Sequence, residues 1–207
     1  MPTKEKTLAD LFLETLKDVY YAEKQAVRML GTAAKAAKAD ELRQAFEQHR
    51  EESRTQVERL EQVFELLDRP ARGRSCEAIQ GLNAEMAEIL EDFGDSPAAD
   101  AALISAAQAV EHYEIARYGT LSTWASQLGL AEAATLLEET LAEEKKTDEL
   151  LTQLARSGAN PQAEQTSSAS EDAGADEALE KPAAKTKPAA KAKKAKTGSA
   201  TKTGSAK

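Results

Sequence analysis

From Thr7 to Arg156 the apolar residues of the chain return every three or four positions, segment after segment, and no stretch reads convincingly as a strand. That period belongs to helices buried along one side, so the chain is confined to all-α architectures. Breakers divide the run. Thr7-Leu-Ala-Asp10 resembles a capping box, with Asp in place of Glu, and opens a first helix that extends to about Lys38. Asp40 can cap a second helix, which ends before Pro70, and residues 68–75 read as a loop. A shorter helix is expected over residues 76–93, stopping at Gly94. Ser96-Pro97 then reads as an N-cap with proline at the first helical position, opening a helix that ends at Leu128 with Gly129 as a left-handed cap. The last helix spans residues 131–156, with Gly158 beyond it.

Four of these helices are long. Short links make the first and second antiparallel neighbours, and likewise the last two. The connection between the pairs covers about 28 residues, enough to travel the length of a bundle, about 40 Å at the helical rise. One long crossover between two antiparallel pairs is the connectivity of ferritin-like four-helix bundles, with the short helix lying in the crossover.

Composition changes at Arg156. Beyond it there is no aromatic residue, and Ala, Lys, Thr, Ser, Glu and Pro dominate. Such a segment cannot bury enough apolar surface to offset its chain entropy. The expected division is therefore a helical bundle over residues 1–156 and a disordered tail over 157–207. The formal net charge of −9 hides an asymmetry: residues 1–155 hold 17 Lys and Arg against 30 Asp and Glu, whereas residues 181–207 hold nine Lys and no acid. The bundle should not bind nucleic acid by itself; the Lys-rich tail, preceded by an acidic stretch, is a candidate for weak nonspecific DNA binding. A single cysteine, Cys76, excludes an intrachain disulfide and suits a reducing compartment. The N-terminal residues lack the apolar stretch of a signal peptide and no run approaches membrane-spanning length, so a cytoplasmic protein with no membrane partner is expected.

The chemistry lies in charged residues that face inward. Projected at 100° per residue, the first helix carries a stripe of Phe12, Leu16, Val19, Val27, Leu30 and Ala34, with Glu23 at its centre. On the second, His49 sits on the midline of Leu42, Ala45, Phe46, Leu60, Val63 and Leu67, and Glu52 at its edge. On the third long helix Glu111 and Glu114 fall among Leu103, Ala107, Val110, Tyr118 and Leu121; on the fourth Glu144 and Asp148 fall among Ala133, Leu137, Leu141, Leu151 and Ala155. A lone inward Glu is commonly an edge residue or half of an ion pair, and a lone inward His is commonly a hydrogen-bonded core residue. Carboxylates on every long helix, near mid-length, are another matter. Each ionised carboxylate in an apolar interior costs several kcal/mol unless compensated. Arg28, Arg43, Arg50 and Arg54 project outward; Arg59 and Arg117 lie nearer the core face, but Arg59 is two turns from Glu52. Two divalent ions in an oxygen-rich shell with one imidazole meet the need, with iron or manganese as the fitting metals. His112 and Glu143 point away from the cluster, and Glu143 is expected to be solvated. Tyr20, one turn from Glu23, reads equally as a hydrogen-bond donor to it or as packing.

The segments DVYYAEKQAVRML, FEQHREESRTQVERLEQVFELL, SCEAIQGLNAEM, LISAAQAVEHYEIARYGTLSTWASQLG and LLEETLAEEKKTDELLTQLA resemble the YciE/YciF family of bacterial ferritin-like stress proteins. The resemblance covers nearly all of residues 7–155, and VEHYEIARYGTL is its most specific block. It implies a di-metal bundle similar to rubrerythrin, pairing into homodimers and serving under osmotic, oxidative or general stress. The wider superfamily places one Glu on each of two helices and Glu-x-x-His on each of the others. Here the second helix reads His49-x-x-Glu52, in reversed order; the third reads Glu111-x-x-Glu114; the fourth places Asp148 where a His would stand. Glu23, Glu52, Glu114 and Glu144 are the first-choice metal ligands, with His49, Glu111 and Asp148 completing the set. Two functions follow as expectations. One is an oxidoreductase of ferroxidase, peroxidase or catalase type. The other is a structural or DNA-associated stress protein whose metals only hold the bundle together. Iron storage would need a hollow shell.

Overall fold

A computed structural model describes residues 5–164. The chain forms α1 (Leu8–Ala36), α2 (Asp40–Leu66), α3 (Glu77–Phe93), α4 (Ala99–Gln127) and α5 (Ala131–Leu154), with no strand among the described residues. The expected capping box is present: Thr7 Oγ1 accepts from the Asp10 amide at 3.3 Å, and Asp10 Oδ2 accepts from the Thr7 amide at 2.9 Å. Gly129 takes a positive φ of 75° after α4, a backbone conformation that costs glycine little.

Three expected helix ends differ. Asp40 does not cap α2, whose N-cap is Ala39 and carries no side-chain bond. The buried Asp100 of α4 takes this role from across the bundle, accepting from the Lys38 and Ala39 amides at 2.8 Å each. Ser96-Pro97 does not open α4. Ser96 Oγ instead donates to Phe93 O at 2.7 Å and accepts from the Ala98 amide, so the segment is a turn and α4 begins at Ala99. The last helix does not stop at Arg156. It widens into one π turn over Ala155–Ala159 and stays helical to residue 164, with Ala159 buried. A proline ring inside a helix clashes with the carbonyl four residues back, and the wide turn lies just ahead of Pro161. The expected disordered tail and its Lys-rich end fall almost wholly on residues 165–207, outside the described residues.

α1 packs on α2, α2 on α5, α5 on α4 and α4 on α1, closing a ring of four antiparallel contacts. The pairs Glu61–Tyr20 and Arg50–Val27 set the direction of α1 against α2, and His49–Thr147 with Arg59–Thr140 set that of α2 against α5. α2 and α4 consequently run the same way on a diagonal, and the chain must traverse the bundle between them. It does so through the loop after α2, where the Arg74 amide donates to Lys17 O at 3.0 Å, and then through α3, which lies against α4 and α1 with Ile79 and Met86 buried. This is the expected all-α bundle with a short helix in the crossover.

The apolar core comes in two parts. One end holds Met29, Leu30, Leu42, Phe46, Leu103, Ile104 and Leu151, joined by Ile79 and Met86. The other holds Phe12, Leu16, Leu60, Phe64, Tyr118, Leu121 and Leu137. Between them, at the level of Glu23 and His49, the interior is polar.

Candidate metal centre

Helical phase decides which side chains enter this polar slice. Glu23 on α1, His49 on α2, Glu111 and Glu114 on α4 and Glu144 on α5 occupy stripe positions and have relative exposures of 0%, 3%, 2%, 1% and 0%. His49 Nε2 lies 3.2 Å from Glu111 Oε1 and 3.5 Å from Glu144 Oε2. Its other ring nitrogen, Nδ1, is 3.2 Å from Thr147 Oγ1 and 3.5 Å from Glu52 Oε2. Tyr118 donates its hydroxyl to Glu23 Oε1 at 2.6 Å. Two sets of three side chains, His49–Glu111–Glu144 and Glu23–Glu114–Glu144, each offer ligand atoms within 4.8 Å of one another. Glu144 belongs to both.

The donors outnumber the partners the protein gives them. Glu23 Oε2, Glu111 Oε2, Glu114 Oε1 and both oxygens of Glu144 are buried and accept no hydrogen bond. Buried polar atoms are ordinarily satisfied, so five buried carboxylate oxygens without a hydrogen bond in one slice form a donor set that suits an electropositive partner. Burial pushes the Glu23 carboxyl up to about 7 even though the Tyr118 hydrogen bond opposes it. Burial, reinforced by neighbouring carboxylates, also lifts Glu114 and Glu144 well above the ordinary range. For His49, burial alone would lower the pKa, but the carboxylates of Glu111, Glu52 and Glu144 raise it well above its usual value. The four buried glutamates would carry four negative charges, which two divalent ions neutralise. Hard carboxylate oxygens and one imidazole form a donor set suited to iron or manganese, and these residues therefore fit the two-metal reading. Ligation requires His49 to give up its proton, so metal and proton compete for Nε2.

The structure thus brings together Glu23, His49, Glu111, Glu114 and Glu144. It sets two other candidates apart. Glu52 stays at the rim, receiving Gln48 Nε2 at 3.0 Å and meeting only the outer face of His49. Asp148 lies on the flank of α5 facing α4, where Gln108 Nε2 donates to it at 2.9 Å and His112 Nε2 approaches to 3.2 Å. Other expectations need correction. Glu143 is not simply solvated: Arg59 donates to both its oxygens at 2.8 and 2.9 Å, and Gln56 Nε2 donates at 3.0 Å. Burial would raise its pKa, but these hydrogen bonds hold it below the ordinary carboxylate range. Tyr20 does not reach Glu23; its hydroxyl donates to Glu61 at 2.7 Å. The donor to Glu23 is Tyr118, read from sequence only as an apolar stripe residue. Ser53, Gln56, Thr140 and Thr147 are further buried polar residues, whose only signal in the sequence is a polar side chain within a buried helix face.

Among the described residues no helix is long and apolar enough to cross a membrane. Residues 7–164 match the family described as Domain of unknown function (DUF892). The chain is 49% identical over 160 residues to Protein YciF of Escherichia coli (strain K12), covering 77% of this chain and 96% of that protein. The crystal structure of the E. coli stress protein YciF superposes with a TM-score of 0.72 at 48% identity, covering 75% of this chain and 99% of that one. YcfI of Rhodopseudomonas palustris, provisionally described as a structural protein, gives a TM-score of 0.70 at 41% identity over 73% of this chain and 97% of that one. A Xanthomonas campestris protein at 24% identity, with a TM-score of 0.61, covers 77% of this chain and 98% of its own and shares the fold. The chain belongs to the DUF892 family and is a relative of the stress protein YciF.

Proposed function

We propose that this chain is a two-metal carboxylate protein, taking iron or manganese, that reacts with peroxide or dioxygen: Fe(II) supplies the electrons when iron is bound, and a second peroxide, oxidised to dioxygen, supplies them when manganese is bound. The observation that carries the reading is Glu144, which belongs to both three-residue donor sets and whose two buried oxygens accept no hydrogen bond. A pair of ions held by these residues would supply two coupled one-electron changes, which match a two-electron oxidant. The chain's own residues prepare the site. Thr147 and Glu52 engage His49 Nδ1 and so turn Nε2 toward the carboxylates. Tyr118 holds one Glu23 oxygen and leaves the other free. The two apolar layers close the slice at both ends, which keeps water from competing for the carboxylates.

Anaerobic titration of the metal-free full-length chain with Fe(II) or Mn(II), followed by oxygen or peroxide, tests this. About two ions per chain are expected from the two donor sets, and Glu144→Ala should abolish both. Unchanged metal content in Glu144→Ala would sink the site. A second reading, that bound metals only brace the bundle, draws on the structural description attached to YcfI. It is favoured if loaded protein consumes peroxide no faster than the free ion. The proposal includes a homodimer, which analytical ultracentrifugation would test.

A further inference from the structure

The centre is walled in at both ends by apolar side chains, so a solute must reach it from the side, between helices. The α2–α5 seam differs from an ordinary helix contact. Ser53, Gln56, Thr140 and Thr147 are all buried on α2 or α5, where apolar residues would pack at least as well. Gln56 donates its amide nitrogen to Glu143 at 3.0 Å, which commits the nitrogen and leaves the carbonyl oxygen, Oε1, buried with no partner. Ser53 Oγ is likewise buried and unpartnered. Ser53 follows His49 by four residues and precedes Gln56 by three, so the three share one face of α2 and rise toward the centre in steps of about 5–6 Å. At the outer edge of the seam stand Glu52 and Glu143, with side chains 32% and 35% exposed. Arg59 anchors Glu143 there while also donating to Thr140 at 2.7 Å.

Orphaned buried oxygens are a cost to the fold that leucine or alanine would avoid. Hard oxygen donors spaced between the half-exposed edge of the seam and a buried imidazole would give a partly dehydrated divalent cation successive partners. We propose that the α2–α5 seam, with the half-exposed Glu52 at its mouth and Gln56 and Ser53 on its α2 side, is the route by which divalent cations reach the buried carboxylate centre. This rests on the two-metal reading above. The residues act as conductors of the ion and are not its final ligands.

The test separates rate of loading from capacity. Metal-free full-length protein is mixed with Co(II) in a stopped-flow instrument, the growth of its ligand-field absorption is followed, and final stoichiometry is measured at equilibrium. The double variant Ser53→Ala/Gln56→Leu should load about tenfold more slowly than the parent while reaching the same stoichiometry. Glu61→Gln, on the α1 side of α2, should load at the parent rate. If the double variant loses helical content, Ser53→Ala alone, which removes a hydroxyl and adds no volume, carries the test with about threefold slowing. Parent-like loading by the folded variant overturns the route and leaves the metal centre standing. Reduced stoichiometry at the parent rate also overturns it, since the two residues would then be ligands. A parent chain that takes up no Co(II), Fe(II) or Mn(II) overturns the centre and the route together.

Discussion

Tyr118 and Glu23 meet at 2.6 Å in the middle of the bundle, both wholly buried, and no other hydrogen bond reaches the glutamate. The pair joins α4 to α1 and presents a single free carboxylate oxygen to the polar slice. Tyr118→Phe would leave both Glu23 oxygens without a donor. The metal-free variant should lose about 1–3 kcal/mol of stability, the usual cost of orphaning a buried acceptor. Urea denaturation of parent and variant measures it. A change within error would mean that the hydroxyl does not stabilise Glu23.

The buried acids tie stability to pH. Glu23 has a folded value of about 7, above its ordinary 4.5, and Glu114 and Glu144 are shifted in the same direction. A raised folded pKa contributes stability below the unfolded value and loses it as pH climbs through the folded one. The raised His49 value acts with the same sign. The metal-free protein should therefore melt at progressively lower temperature from about pH 5 to pH 8, and saturating metal should raise the melting temperature more at the alkaline end, where protons no longer compete. Calorimetry with and without Mn(II) would show this; a metal-free melting temperature that rises across the interval contradicts it.

Asp148 and Glu144 lie one helical turn apart and should behave differently. Asp148→Ala removes one acceptor of Gln108 and the carboxylate beside His112 but touches neither donor set, so bound metal should stay at the parent level. Metal analysis of the two alanine variants makes the comparison. Loss of metal from Asp148→Ala would return that residue to the ligand shell.

Asp100 holds the start of α2 from another helix. Asp100→Ala should cost about 1–2 kcal/mol, in the range of lost caps, by freeing the Lys38 and Ala39 amides. Asp40→Ala, at an exposed first-turn position paired only with Arg43, should cost a few tenths of that. Equal losses in chemical denaturation would remove the distinction.

We also propose that residues 181–207, with nine lysines and no acid, bind DNA through its phosphates. Affinity should fall steeply with salt, and truncation after Glu180 should abolish binding while leaving metal content unchanged. Anisotropy titrations at two salt concentrations check both; equal binding by the truncated chain would refute it.

Much of the architecture is local physics and is legible in the order of residues. The period of the apolar residues, the Thr7–Asp10 box and the left-handed Gly129 depend on neighbours a few positions away. So does the inward facing of Glu23, His49, Glu111, Glu114 and Glu144, because helical phase alone sets which side of a helix a residue occupies. Phase about one axis does not say which helix lies opposite. Asp148 shares the face of Glu144 within a fraction of a turn, yet the approach of α4 hands it to Gln108 and His112. Tyr20 and Tyr118 both look inward, and only the α1–α4 contact selects Tyr118 for Glu23. Asp100 caps α2, and Arg59 claims Glu143, across sequence separations of 61 and 84 positions. These pairings arise when the four helices close into a ring, since each exists only where two particular surfaces touch.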